Sequence, residues 1–342
     1  MSRSYTSLTF LRLVAALLVL VPGCKAEGPS GPVTSTSVFD EVWERFDDEY
    51  PFFPVANVNW HALRATYRDS VAGSTSDHEA ARLIGAMIAK LNDYHSGLTT
   101  PFGTFGPGPI PHDHNFVPSL LQQNYFASPI QSTGSSRINY ARLKSGHGYI
   151  YIGSFAGQGW GNEIETALES LVGVPSVILD IRDNVGGNED VARQVAARFY
   201  DVGRVYRLSR ARNGPGYTDL SAATSMSLDP GGSRRFTGHV AVITNRFNGS
   251  AAEDFLLMMR ILPNVTVVGD TTLGLGSNPA EYELDNGWTV RVPRTAQSTP
   301  DGFVYQFKGL PPDVEVQWRQ EEVAAGRDSY IDAAVARLAS PR

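Results

Sequence analysis

The chain has 342 residues, 42% of them apolar, with 33 glycines and 21 prolines, enough for one large or two modest globular domains with ample core. Its net charge of -6, with no run of Lys or Arg, excludes the basic face that nucleic-acid binding needs.

The N-terminus reads as a targeting segment. Arg3 and Arg12 give a positive start, and Leu13 to Val21 form an unbroken apolar run. A membrane-spanning helix needs about twenty residues, so residues 1–23 fit a signal peptide better. The run closes on Val21-Pro22-Gly23-Cys24, and Cys24 is the only cysteine, so it has no internal disulfide partner. The segment resembles a bacterial lipoprotein signal, which implies lipid attachment at Cys24 and an exported, membrane-anchored protein of the cell envelope. Residues 24–37, rich in Gly, Pro, Ser and Thr, read as a flexible tether.

From Val38 the pattern becomes helical, with Phe39, Val42, Trp43, Phe46 and Tyr50 forming one apolar stripe. A second helix is predicted over Trp60 to Val71. A third opens on Ser76-Asp77-His78-Glu79, a capping box, and runs through Leu83, Ile84, Met87, Ile88 and Leu91. Residues 38–99 thus form a small N-terminal helical domain. Residues 100–146, rich in Pro and Gly, read as an irregular connecting segment. His112-Asp113-His114 lies there, but without a further Cys, Glu or His at ligand spacing it reads as surface loop, and no metal is assigned.

Residues 147–342 alternate strands and helices. Tyr149–Ile152, Ser176–Ile181, Val240–Thr244 and Val265–Val268 read as strands; Asn162–Leu171, Glu189–Phe199 and Ala251–Leu262 read as helices. The succession predicts an α/β domain with a largely parallel sheet. Asn286-Gly287 between Glu281–Asp285 and Trp288–Val292 marks a hairpin, and a last helix covers Ser329 to Ala339.

Open parallel sheets bind ligands beyond the carboxyl ends of their strands. Two such ends carry distinctive residues. One reads Leu179-Asp180-Ile181-Arg182-Asp183-Asn184-Val185-Gly186-Gly187, where the glycines let backbone amides approach a ligand. The other leads from Val242-Ile243-Thr244-Asn245 to Ser250, at the mouth of a helix, beside unpaired amides and the positive end of the helix dipole. The Ala251 amide, with one from Gly186 or Gly187, could hold an oxyanion. A serine there is as readily a helix cap, and a glycine pair as readily a tight turn. Asp180 with Arg182 reads as a structural ion pair, and Glu253 and Asp254 as first-turn acids favoured by the dipole.

Together these segments resemble the serine peptidase family of the tail-specific (C-terminal processing) proteases and the tricorn protease core. Leu179 to Gly187 match its L-D-x-R-x-N-x-G-G segment and Ser250 to Glu253 its S-A-A/S-E nucleophile segment. Gly269 to Gly274 match G-x-x-T-x-G, Gly309 to Asp313 match G-[IVL]-x-P-D, and Leu91 to Ser96 match L-x-D-x-H-[ST]. The resemblance spans about residues 38–320 and implies an α/β fold, a crotonase/ClpP-like spiral core with the helical domain in front. It implies Ser250 as nucleophile, no cofactor, and a peptide or unfolded protein as substrate, bound extended between the two domains. The lysine that tail-specific proteases place at the end of G-x-x-T-x-G is Leu275 here, so the tricorn-type branch, with His95 as general base, is the nearer match. That branch supports its histidine with a serine and a glutamate, whereas this chain has Tyr94 before His95 and Gln306 shortly before Gly309. Asp93, Tyr94 or Gln306 is left to orient the imidazole. About fifty residues between His95 and Tyr149 are too few for an inserted PDZ domain. Two other expectations stand beside the peptidase: a catalytically impaired peptide-binding lipoprotein of the same fold, and an α/β-hydrolase esterase, whose G-x-S-x-G Ser250 does not match.

Overall fold

The computed structural model describes residues 32–111 and 115–340. The signal segment, Cys24, most of the tether and His112-Asp113-His114 lie outside the described residues. No helix of the described residues is long and apolar enough to cross a membrane.

The helical part opens earlier than its apolar stripe suggests. Helix α1 (Ser35–Glu49) starts inside the expected tether because Thr34 and Ser37 cap it reciprocally, each side chain bonding the other's backbone amide at 3.1 and 2.9 Å. Short α2 (Phe53–Ala56) leads to α3 (Trp60–Ala72) and α4 (Asp77–Ile88). Phe39, Val42, Trp43, Phe46 and Tyr50 are buried as the stripe predicts. Trp43 and Trp60 lock α1 to α3, each indole N–H donating to the other's carbonyl at 3.1 Å. Ser76 accepts the Glu79 amide at 3.2 Å, but Glu79 returns to Thr75 rather than to Ser76, so only half of the expected box forms.

Strands β1 (Gly97–Thr100) and β2 (Gly103–Phe105) follow as a hairpin. The segment read as irregular then contributes helix α5 (Pro118–Asn124) and strands β3 (Gln131–Ser132) and β4 (Ile138–Arg142). These elements are short, which hides their period among the prolines and glycines.

The α/β succession runs as expected: β5 (Gly148–Ile152), α6 (Ile164–Ser170), β6 (Ser176–Asp180), α7 (Glu189–Ala196), β7 (Arg204–Ala211), β8 (Thr224–Leu228), β9 (His239–Thr244), α8 (Ala251–Arg260) and β10 (Val265–Gly269). Strands β10, β9, β6 and β5 lie side by side in parallel. Their apolar runs serve two faces at once. Val177, Leu179, Val240 and Val242 pack towards α6, α7 and α8, whereas Ile178, Ala241 and Ile243 meet α5 and the C-terminal helix.

The hairpin β11 (Pro279–Glu283) and β12 (Thr289–Pro293) turns at Asn286-Gly287, where Gly287 takes a φ of 79°. It departs from the expected division of the chain. Strand β12 pairs with β1, and Leu284, Trp288, Val290 and Val292 complete the core of the N-terminal helices. Strand β13 (Thr295–Ser298) joins β7 and β8 in a three-stranded sheet. Strand β14 (Val314–Glu315) extends the main sheet beyond β10, and α9 (Gln320–Ala324) and α10 (Ser329–Ala339) close the chain.

Behind the glycine turn sits a fully buried guanidinium. Arg182 meets Asp180 at 2.6 Å and Asp328 at 2.9 Å, and also donates to the Asn115 carbonyl at 3.2 Å. Asp328 also caps α10 by accepting the Tyr330 and Ile331 amides at 3.0 and 3.1 Å. One carboxylate therefore fastens α10 to the end of β6. Removing one partner of a buried pair strands the other, at a cost of about 3–5 kcal/mol. Asp328→Ala is expected to lower the unfolding free energy by about 3 kcal/mol or more. Urea denaturation measures it, and a change below about 1 kcal/mol contradicts the role given to the cluster.

Candidate active site

Ser250 follows β9 through the turn Asn245–Gly249 and takes φ 55°, ψ -128°, a backbone region that costs a non-glycine residue free energy. Surrounding bonds hold it there. Asn248 Oδ1 accepts the Asn245 amide at 2.8 Å, while its Nδ2 donates to the carbonyls of Ile181 and Asn184 in the neighbouring turn. The Ser250 amide donates to Glu253 Oε2 at 3.2 Å, so the glutamate side chain takes the capping contact. The hydroxyl instead faces His95, with Oγ and Nε2 3.0 Å apart across 155 residues of sequence.

Glu253 is buried and holds the segment after β10 against α8. It accepts the Gly274 amide at 2.8 Å, the Leu275 amide at 2.7 Å and the Thr272 hydroxyl. Burial raises its carboxyl to about 7. Asp254 lies beside it and pairs with buried Arg207, which also meets Glu189 at 3.2 Å. Leu275 is buried, and its Cδ1 lies 3.1 Å from where a Cβ on Gly249 would stand. An apolar side chain thus fills the space beside the turn that leads to Ser250, where the resemblance leads one to look for lysine.

His95 sits in a turn just before β1. Ser96 donates its amide to the Asp93 carbonyl at 2.8 Å, and Asp93 Oδ1 accepts the His95 amide at 3.0 Å. The other carboxylate oxygen accepts from Tyr50 at 3.0 Å and from Gln306 Nε2 at 2.9 Å, while Gln306 Oε1 accepts the Gly276 amide at 2.7 Å. Asp93 therefore joins the end of α1, the histidine turn and the segment beyond Leu275. Of the three residues proposed to orient His95, Asp93 acts on its backbone and Gln306 acts through Asp93. Tyr94 makes no hydrogen bond among the described residues. The imidazole Nδ1 is buried without a hydrogen-bond partner, so no carboxylate holds the ring itself. Tyr50 was legible only as the last residue of an apolar stripe; a hydroxyl closing a run of Phe, Val and Trp was its one signal.

Burial dominates the electrostatics here. It lowers the His95 imidazole to about 3, with the Arg291 charge adding in the same direction. It raises the Asp93 carboxyl to about 6.

Gly186 and Gly187 take φ values of 110° and 138°, which disfavour any side chain. A Cβ on Gly186 would stand 2.6 Å from the Gly249 carbonyl oxygen, and 2.9 Å from both Ser250 Cβ and the Ala251 nitrogen. The glycine turn thus lies directly against Ser250. Its two amides are not equivalent. The Gly186 amide donates to Asn184 Oδ1 at 2.8 Å and is already engaged. Phe155 pairs in parallel with Gly187 through the Gly186 carbonyl and the Asn188 amide, both at 2.9 Å. The Gly187 amide makes no hydrogen bond among the described residues.

The peptidase family S41 model matches residues 146–316, which hold both turns. The chain belongs to peptidase family S41. The tricorn protease C1 domain model matches residues 35–89, within the helical part. Family membership removes the α/β-hydrolase reading. The carboxy-terminal processing protease CtpA of Bacillus subtilis is 29% identical over 181 residues, covering 52% of this chain and 37% of that protein. Tricorn protease homolog 1 of Streptomyces coelicolor is 29% identical over 209 residues, covering 59% of this chain and 18% of that one. The chain thus spans well under half the length of these curated relatives. A solved structure from Parabacteroides merdae, described as a candidate peptidase, superposes with a TM-score of 0.79 at 29% identity over 90% of this chain and 98% of its own. The tricorn protease structure shares the fold at a TM-score of 0.56 and 17% identity, over 89% of this chain and 36% of that one.

Because burial disfavours the imidazolium, His95 stays neutral to a lower pH than an exposed histidine. In an NMR titration its ring nitrogens are expected to keep neutral-imidazole shifts from pH 8 to below pH 5. A midpoint near the ordinary value of about 6.5 contradicts this environment.

Proposed function

We propose that this chain is a serine peptidase that hydrolyses peptide bonds through an acyl-enzyme. The observation that carries the reading is the 3.0 Å approach of His95 Nε2 to Ser250 Oγ, at a serine held in strained backbone. Family membership supports the reaction class.

The steps use groups of this chain and a water. His95, neutral and carrying its proton on Nδ1, accepts the Ser250 proton at Nε2 as Oγ attacks the peptide carbonyl carbon. The carbonyl oxygen becomes an oxyanion facing the Ala251 and Gly187 amides, at the positive end of α8. The imidazolium returns the proton to the departing amine, and the Ser250 ester remains. Water then repeats the sequence with His95 again as base, releasing the acid and restoring the serine.

Without a carboxylate on Nδ1, the ring's orientation rests on the packing and backbone bonds that Asp93, Tyr50 and Gln306 supply. A dyad so held is expected to turn over more slowly than a full Ser-His-Asp triad while remaining a nucleophilic catalyst. Peptides would enter extended along the cleft between the helical part and the main sheet. The cell envelope would be the place of action, a reading carried by residues 3–24 alone.

A fluorophosphonate probe tests the mechanism. Wild type should label at one site, Ser250→Ala not at all, and His95→Ala at least about 100-fold more slowly. A folded wild type that does not label favours a peptide-binding protein over an enzyme.

A further inference from the structure

We propose that Gln306 is the positioning residue that holds His95 against Ser250. The site takes an amide there because one hydrogen bond must be given to Asp93 and another accepted from Gly276. The inference rests on the serine peptidase reading above and adds a residue to that site.

His95 and Ser250 stand on different parts of the chain, so something must set their separation. His95 lies in the turn before β1, beside the helical part, and Ser250 at the head of α8. Among the described residues, only Ser250 and Gln306 reach Asp93 or His95 with side-chain hydrogen bonds from residues 147–342. Gln306 makes the one of these that is not itself part of the reaction.

The bonds through Gln306 close a ring. Asp93 Oδ1 accepts the His95 amide at 3.0 Å, and Gln306 Nε2 donates to Asp93 Oδ2 at 2.9 Å. Gln306 Oε1 accepts the Gly276 amide at 2.7 Å. One residue back, the Leu275 amide donates to Glu253 Oε2 at 2.7 Å, and the same oxygen accepts the Ser250 amide at 3.2 Å. The 3.0 Å contact between Ser250 Oγ and His95 Nε2 completes the circuit. Asp93, Gln306 and Glu253 are all buried, so a bond lost within the ring is not regained from solvent.

Only an amide satisfies both neighbours of residue 306. The Gly276 N–H can only donate, so Oε1 must face it, and Nε2 is left for the carboxylate. An ionised glutamate would accept from Gly276 but set a second negative charge against Asp93. The other groups acting on Asp93 are Tyr50, the His95 amide and the Arg291 charge, and none of them also binds the segment that carries Gly276. Phe307 keeps that segment docked independently. Its amide donates to the Gly274 carbonyl at 2.9 Å, and its ring meets Phe52 edge-on with centroids 6.4 Å apart. Substitution at 306 therefore opens the ring of bonds without removing the packing around it.

The test follows fluorophosphonate labelling of wild type, Gln306→Met and Gln306→Glu from about pH 5.5 to about pH 8.5, with thermal melting as the check on folding. A misplaced base slows reaction on the order of 100-fold, so Gln306→Met should label about 100-fold more slowly at every pH. Gln306→Glu should approach wild type at the acid end, where a proton shared by the two carboxyls replaces the amide donor. Two carboxyls in one site raise the pKa of one of them, and that proton leaves as pH rises through the raised value. The labelling rate of Gln306→Glu relative to wild type should therefore fall about tenfold or more towards the alkaline end. In a His95→Ala background, Gln306→Met should bring no further loss, because its effect passes through His95. A merely structural role would give a relative rate for Gln306→Glu that does not change with pH. That result, a folded Gln306→Met that labels like wild type, or a full further loss in the His95→Ala background overturns the inference and leaves the peptidase reading intact. Should Gln306→Met not fold, the pH profile of Gln306→Glu decides alone. A folded wild type that does not label overturns the peptidase reading and the inference with it.

Discussion

The site depends on two neighbouring parallel strands ending side by side. Because β6 and β9 are paired in register, their turns meet, and Gly186 can press against Ser250 with no side chain between them. Asn248 fixes the contact by donating to carbonyls of the opposite turn. The strained backbone of Ser250 and the nearness of the Ala251 amide to the glycine turn follow from that lateral tie. A side chain at 186 would meet Ser250 itself.

Buried carboxyl groups do the remaining fastening, each joining segments distant in sequence. Glu253 holds the segment after β10 to α8, Asp93 holds the end of α1 and Gln306 to the histidine turn, and Asp328 holds α10 to Arg182. Burial raises the carboxyl groups of Glu253 and Asp93 and lowers the imidazole of His95. Desolvation thus favours the neutral imidazole of His95. The same desolvation hinders the imidazolium, and the lone Nδ1 gives it no relief.

Ser250 and the glycine pair were legible because each sits at a strand end or helix mouth where local pattern carries meaning, whereas His95 was named only by the family resemblance. The parallel core was legible for the same reason, since its strands are continuous apolar runs. Long-range partners were not. Nothing local connects Asp328 with Arg182, or Tyr50 with Asp93, because packing across more than forty residues leaves no period. The β11–β12 hairpin announced its turn through Asn286-Gly287 but not its destination among the helices. Arg291 was equally silent, since an arginine between two valines reads as the solvent side of any strand.

The central claim is that Ser250 and His95 form a working pair facing the Gly187 and Ala251 amides. A high-resolution crystal structure after reaction with diisopropyl fluorophosphate tests it most directly. The account predicts phosphorus bonded to Ser250 Oγ, with the phosphoryl oxygen within hydrogen-bond distance of both amides and His95 Nε2 facing the adduct. An unmodified Ser250, or a phosphoryl oxygen turned away from Gly187 and Ala251, would contradict it.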